Sequence, residues 1–321
     1  MNLAPVLAVT ERESLHPAAP ASLIQRTRLI AKTAHPHQNT HEGMTNISNF
    51  TDPALLDALT NLASQAAAAI MRVRENGVVA RTKSDASPVT EADEAAETIL
   101  LEGLARILPG VAVVSEEAAS RTDVARVPDA FILVDPLDGT REFIEGRDEF
   151  TVNIAIVQNE RPVTGVVSAP ALGSVWRGTM PAFSERLSLP AGMTTQDASD
   201  RLSLHTAAHR GGAWRAMVSR SHHDPATDDW LTRFSAVERR DCGSSIKFCR
   251  IAEGLADVYP RLGRTSEWDI AAGDAVLSAA GGIVLTPDGE PIRYGQVARK
   301  LKVPAFIAWC DPDDAARYTT V

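Results

Sequence analysis

Cysteine is scarce: three in 321 residues, Cys242, Cys249 and Cys310. The number is odd and the spacings match no metal-ligand pattern, which argues against a disulfide framework and for a reducing compartment. Also missing is any basic stripe. The formal net charge is −9, so extended nucleic acid is not an expected partner. No apolar run approaches about 18 residues, and a membrane-spanning helix is not expected. There is no internal repeat of the solenoid kind. What remains is a chain that is 44% hydrophobic, long enough for one large domain or two smaller ones with a sizeable core. An acidic chain can still bind a phosphate ester where metal ions reverse the local field.

The stretch that organises the rest is Asp135-Pro136-Leu137-Asp138-Gly139-Thr140. The apolar run Ala130–Val134 before it reads as a short buried strand. Asp135 then leaves the sheet at the strand end, and Gly139-Thr140 open a short helix through Ile144. Two carboxylates this close repel, and one must protonate unless a cation neutralises them. Oxygen-only ligands select Mg, Ca or Mn, and the Leu137 carbonyl is a further oxygen between the two acids. The competing reading is a plain turn, since Asp-Pro and Asp-Gly are ordinary turn dipeptides.

Taken in order, residues 1–50 lack sustained periodicity and hold Pro5, Pro17, Pro20 and Pro36 with His35, His37 and His41. They read as a disordered tail, or as an upstream extension if Met44 is the true start. Asp52-Pro53 begins a helix that Gly77 closes. A second helix runs from about Thr90 to Leu108, and Thr90 with Asp93 matches a capping box. Val111–Val114 reads as a strand with Ser115-Glu116-Glu117 at its end. Thr151–Val157, Pro162–Ser168 and Ser174–Thr179 read as antiparallel strands.

Residues 181–212, rich in Ser, Pro and Gly, read as the boundary between two halves. The domain expectation is therefore a 1–50 extension, an α/β half over 51–200 and a second α/β half over 201–321. The second half alternates strand and helix: a strand Trp214–Val218, a helix near Asp228–Phe234, a helix after Gly243-Ser244-Ser245, a strand Ala256–Tyr259, a small-residue helix from Asp269, then strands Ile283–Thr286 and Pro304–Trp309. Asp269 reads as an ordinary N-cap, whose free oxygen can still point at a metal.

Four stretches occur in an order that resembles the inositol monophosphatase superfamily of metal-dependent, lithium-sensitive phosphatases. They are Pro88-Val89-Thr90-Glu91-Ala92-Asp93, Ser115-Glu116-Glu117, Asp135–Thr140 and Trp268-Asp269-Ile270-Ala271-Ala272-Gly273. The resemblance covers about 52–310. Within the superfamily the chain is most similar to the bacterial 3'(2'),5'-bisphosphate nucleotidases. That likeness rests on Glu142-Phe143-Ile144, Glu149–Ala155, Val218–His222, Gly243–Cys249 and Asp257–Arg261. The tail before Asp52 departs from the pattern, and so does Arg141, where lysine is familiar.

The resemblance implies a layered αβαβα sandwich with the site between its halves. By motif position it implies two or more Mg2+ ions, the first on Glu116, Asp135 and the Leu137 carbonyl, the second on Asp135, Asp138 and Asp269. It further implies a substrate, 3'-phosphoadenosine 5'-phosphate, cleaved to AMP and phosphate in sulfur metabolism. Glu116, Leu137, Asp138, Gly139, Thr140 and Asp269 would surround the scissile phosphate, with Thr140 and Asp93 handling the attacking water. Ser219, His222, Ser244, Lys247 and Arg261 would meet the nucleotide. Structural alternatives stand beside these: Ser244 as a helix cap, Lys247 and Arg261 as solvated. Rival readings are an inositol, sugar or histidinol phosphatase, and a non-catalytic nucleotide-binding regulator. The family further implies a monomer or homodimer, located in the cytoplasm or peripherally on the cytoplasmic face of the inner membrane.

Overall fold

The computed structural model describes residues 49–82, 88–121 and 124–319. The expectations for residues 1–48, including the tail histidines and the alternative start, lie outside these. Helix α1 (Pro53–Asn76) begins where the Asp52 side chain accepts from the Ala54 amide and Pro53 takes the first helical turn. A short antiparallel ladder, β1 (Ala80–Thr82) with β2 (Pro88–Thr90), leads into α2 (Glu91–Ile107). The expected capping box is present at the start of α2.

A seven-stranded sheet follows the chain: β3 (Ala112–Ser115), β4 (Ala130–Asp138), β5 (Thr151–Gln158), β6 (Arg161–Ala169), β7 (Ser174–Thr179), β8 (Phe183–Ser188) and β9 (Asp200–Ser203). Only β3 and β4 pair in parallel. Short helices α3 (Glu116–Arg121) and α4 (Thr140–Ile144) leave the ends of β3 and β4. The stretch read as a hinge therefore carries two strands of the first sheet. β9 belongs wholly to that sheet, and the second sheet begins at Trp214.

The second sheet has the order β11 (Val237–Cys242), β10 (Trp214–Ser219), β12 (Val258–Arg261), β16 (Phe306–Trp309), β14 (Ile283–Leu285). A second small ladder joins β13 (Thr265–Ser266) to β15 (Lys302–Val303). Helices α5 (Pro225–Leu231), α6 (Ile246–Ala252), α7 (Glu267–Ala279) and α8 (Pro312–Thr319) complete the chain. α5 starts at Asp224-Pro225, earlier than expected, by the same Asp-Pro cap that starts α1. β11 and α8 had no counterpart in the sequence reading.

The layers stack as helix, sheet, helix, sheet, helix. α1 and α2 cover one face of the first sheet through Leu59, Ile70, Leu100 and Leu104. α6 and α7 lie between the two sheets. α5 and α8 close the outer face of the second sheet around Trp214, Trp230, Phe234 and Trp309. α7 is buried nearly all round, which suits a central layer. Its small residues let backbones meet: a Cβ on Gly165 of β6 would lie 2.4 Å from the Ala272 carbonyl oxygen. Order also begins before Asp52, because Phe50 is buried and its carbonyl accepts from Thr164 at 2.6 Å.

By length and composition alone α1 is apolar enough to cross a membrane, as the core helix of a folded domain can be. Its apolar residues are spent on the first sheet and α2.

Candidate active site

β4 does not end at Asp135, as the sequence suggested. It continues to Asp138, with a register irregularity against β5: Asp135 pairs Asn153, whereas Asp138 pairs Thr151. Three residues of β4 thus advance against two of β5, a bulge that re-aims side chains at a sheet rim. The Leu137 amide donates to Asp135 Oδ1 at 3.0 Å. Gly139 then turns the chain into α4 with φ +88°, and a Cβ there would stand 3.0 Å from the Glu149 carbonyl oxygen. Only glycine suits both the angle and the approach.

Two other elements bring carboxylates to this rim. Glu116 is the first residue of α3, at the end of β3. Asp269 lies in the first turn of α7 and is not its N-cap. Ser266 is the N-cap, and Asp269 Oδ2 accepts from the Ser266 amide at 2.8 Å and from Thr265 Oγ1 at 2.5 Å. This bonding occupies one carboxylate oxygen and fixes the other.

Oxygens of Glu116, Asp135 and Asp269 lie within 4.8 Å of one another. Asp135 Oδ2 is buried without a hydrogen-bond partner. Burial, then Glu116, Asp138 and Asp269, push the Asp135 carboxyl well above its usual range. Burial and Asp269 raise Asp138 to about 7, against the lowering pull of Lys247. Such a cluster holds excess negative charge that a hard cation would relieve. The donor set, all oxygen and partly unpartnered, fits magnesium chemically.

Asp93 does two things. Its Oδ2 accepts from the Thr90 amide and hydroxyl, each at 2.7 Å. Its Oδ1 stands 3.3 Å from Thr140 Oγ1, which is also 3.0 Å from the Leu137 carbonyl oxygen. Asp93 does not line the cavity directly, and Thr140 is its connection to it.

Glu116, Asp135, Leu137, Asp138, Gly139, Thr140 and Asp269 line one cavity of about 830 Å3. Ser219, His222, Ser244, Lys247 and Arg261 line it too, so the sequence-derived set converges. Glu117, in contrast, is buried away from the cavity. Lys247 is not solvated: it is 3% exposed, and its ammonium donates to the carbonyls of Cys242 at 3.1 Å and Ser244 at 2.5 Å. Ser244 does not cap α6. It has φ +47°, and its hydroxyl is buried without a partner. Ser245 is the N-cap residue, and its hydroxyl bonds Thr151 and Asn153 of β5.

Arg261 donates from Nη1 to the His222 carbonyl at 3.3 Å, while its Nε is buried and unpartnered. Burial and the neighbouring Arg261 and Arg141 hold the His222 pKa below its usual value. Glu149 ties the two halves together below the cavity, accepting from Arg220 at 3.0 Å and from the Gly243 amide at 2.9 Å. The sequence reading missed Trp268, Arg264, Lys300 and Lys302 as cavity-lining residues. The charges in Arg264 and Lys300-Leu301-Lys302 were visible, but not the β13–β15 ladder that brings them together.

The description of the inositol monophosphatase family matches residues 53–308. The chain is 39% identical over 245 residues to the 3'(2'),5'-bisphosphate nucleotidase CysQ of Escherichia coli K12, covering 75% of this chain and 94% of that one. It is 31% identical to the CysQ of Haemophilus influenzae, over 75% and 88% of the two chains. Among solved structures, CysQ from Bacteroides thetaiotaomicron superposes with a TM-score of 0.68 at 33% identity, over 81% of this chain and 98% of that one. The extragenic suppressor protein suhB from Bartonella henselae shares the fold, with a TM-score of 0.64 at 21% identity over 83% and 97%. Motif order, layered architecture and acidic rim all agree with these matches: the chain belongs to the inositol monophosphatase family.

Proposed function

We propose that this protein is a magnesium-dependent phosphatase that removes the 3'-phosphate of 3'-phosphoadenosine 5'-phosphate, giving AMP and phosphate. The observation that carries the reading is one cavity lined both by an under-neutralised acidic cluster and by the buried Lys247 and half-buried Arg261. The CysQ relatives are named for this class of substrate.

Glu116, Asp135, Asp138, Asp269 and the Leu137 carbonyl would hold the metal ions. When bound there, divalent cations lower the pKa of an attacking water and neutralise charge on the phosphate and leaving oxygen. The chain's own residues orient and move protons. Thr140 Oγ1 donates its single proton toward Asp93, leaving its lone pairs to accept from the water. Asp93, fixed by the Thr90 cap, is the proton's destination. The Gly139 and Thr140 amides steady the phosphate oxygens. Lys247, with two of its three donors occupied by carbonyls, offers the third to the 5'-phosphate. The unpartnered Arg261 Nε and Ser244 hydroxyl supply further donors. Neutral His222 and Ser219 flank the nucleoside.

No thiol nucleophile is needed. Burial raises Cys242 to about 11 and Cys310 to about 12, and lifts Cys249 well above its usual range. Three free, buried thiols fit a reducing interior, and we place the reaction in the cytoplasm.

The test is phosphate release from 3'-phosphoadenosine 5'-phosphate and from inositol 1-phosphate, with magnesium, with chelator and with lithium. Preference for the nucleotide, lost on chelation, is the expected result. Preference for the inositol ester would keep the acidic cluster and cancel the roles of Ser219, His222, Lys247 and Arg261.

A further inference from the structure

Two aspartates of the acidic cluster are held in different ways. Asp135 Oδ1 accepts one hydrogen bond, from the Leu137 amide at 3.0 Å, and Asp135 Oδ2 has no partner. An ionised carboxylate has about four lone-pair sites, so Asp135 keeps most of its capacity. Asp269 is the contrast. Its Oδ2 accepts both from the Ser266 amide at 2.8 Å and from Thr265 Oγ1 at 2.5 Å. Two donors fill the two lone pairs of that oxygen. Asp269 therefore has one oxygen, Oδ1, left for a cation. The capping box accounts for the Ser266 amide alone. The Thr265 hydroxyl is an addition to it.

The two donors are themselves fixed. Thr265 and Ser266 make up β13 and pair with Val303 and Lys302 of β15. Lys302 Nζ donates at 2.6 Å to Ser266 Oγ, the side chain that also accepts from the Asp269 amide in the capping box. The next residue, Glu267, is fully buried. It accepts from the Gly295 amide at 2.5 Å and the Gln296 amide at 2.9 Å, and its own amide donates to the Leu301 carbonyl at 2.8 Å. Three successive residues, 265–267, are thus tied to the segment 295–303 just ahead of Asp269. Thr265 is half-buried and lines the cavity, so its hydroxyl is held on Asp269 at the edge of the cluster.

The number of oxygens a carboxylate can offer bears on which ion it suits. Calcium gathers more oxygens than magnesium and often takes both oxygens of one carboxylate, whereas magnesium is smaller and keeps several waters. We infer that Thr265 is a positioning residue that sets metal selectivity. By filling the second lone pair of Asp269 Oδ2, it confines Asp269 to one ligand oxygen and favours magnesium over calcium. The inference rests on the metal-dependent reading above and deepens it. Valine has the shape of threonine without the hydroxyl. In Thr265→Val the Ser266 amide stays alone on Oδ2, and the freed lone pair becomes available to the larger ion.

The test titrates magnesium and calcium separately into the metal-free protein by calorimetry, for the parent, Thr265→Val, Thr265→Ala and Thr265→Ser. Thermal melts in chelator show that each variant is folded. Thr265→Val should lower magnesium affinity about tenfold while calcium affinity holds level or rises, so that the ratio of the two falls by about that factor. Thr265→Ala removes the hydroxyl in a second way and should do the same. Thr265→Ser keeps the hydroxyl and should keep the parent's ratio. An unchanged ratio in both Thr265→Val and Thr265→Ala, whether the two affinities stay put or fall together, would overturn the selectivity role. So would a serine variant that behaves like valine. These outcomes leave the phosphatase reading intact, whereas a parent that binds no magnesium would overturn both. No substrate is present, so the result does not depend on which phosphate ester the protein cleaves.

Discussion

Thr140 Oγ1 lies 3.3 Å from Asp93 Oδ1, joining the start of α4 to the capping box of α2 across 47 residues of chain. The same carboxylate that satisfies the first turn of a helix holds the hydroxyl assigned to the attacking water. Thr140→Ala should therefore lower kcat about a hundredfold or more, with little change in KM. Thr140→Ser should keep most of the activity. Steady-state phosphate release checks both, and a loss confined to KM would reject the role with water. Asp93→Asn adds a second effect, since it weakens a cap worth about 1 kcal/mol.

At the same rim Asp138 helps to raise the pKa of Asp135, and burial with Asp269 raises that of Asp138. Asp138→Asn removes one of these charges. Without divalent cations the variant should melt higher than the parent, because like-charge repulsion is relieved. With magnesium the order should reverse, because ligand-linked stabilisation is lost together with turnover. Thermal melts with and without magnesium read this directly. A parent that melts identically in both conditions would count against a metal at this cluster.

Asp257 shows the opposite balance. Its side chain is 1% exposed, and burial alone would raise it. Hydrogen bonds from Arg215, at 2.5 Å to one oxygen and 2.8 Å from the backbone amide to the other, outweigh burial and hold it below the usual carboxylate range. The folded chain thus binds this proton less readily than the unfolded chain. Asp257 stabilises the fold above the ordinary carboxylate pKa of about 3.9, and the contribution disappears as pH falls through the lower folded value. Asp257→Ala should cost about 3 kcal/mol near neutral pH and flatten the acid limb of the stability curve. Denaturant titrations across pH would show it.

Gly165 tests the contact between the first sheet and α7. A Cβ there would meet the Ala272 carbonyl oxygen at 2.4 Å and the Ala275 side chain at 2.8 Å. Gly165→Ala must push backbone against backbone and should cost about 2 kcal/mol or more. Because Asp269 rides on the same helix, the variant should also lower magnesium affinity, measurable as a higher magnesium requirement for turnover.

How far the sequence foretold this structure depended on how local each signal was. The Asp52-Pro53 cap, the Thr90–Asp93 box and the turn at Gly139 into a helix from Thr140 are local, and each lies where expected. β8, β9 and β11 were missed because they are edge or near-edge strands whose charges disguise the alternation: β9 is exposed throughout and β11 reads Val-Glu-Arg-Arg-Asp-Cys. The shift of Asp269 from cap to third helical position hinged on Ser266, three residues earlier. The bulge in β4 depends on its pairing with β5, and the burial of Lys247 on α6 lying between the two sheets. Neither dependence leaves a mark in the local residue pattern.

Helix α7 covers the inner face of the first sheet, yet it follows the entire β10–β13 stretch in the chain. On the ribosome, chains emerge N-terminus first. The first sheet must then wait, with Val157, Val167 and Trp176 uncovered, until residue 279 has been made. Nascent chains stalled near residue 250 should bind hydrophobic dye or chaperone strongly, and chains stalled well past 279 should not. Tight folding of the shorter chain on its own would show that α7 is dispensable to the sheet. The helix that delivers Asp269 to the acidic rim is thus also a late cover of the first sheet's core, which couples completion of the site to the closing stages of synthesis.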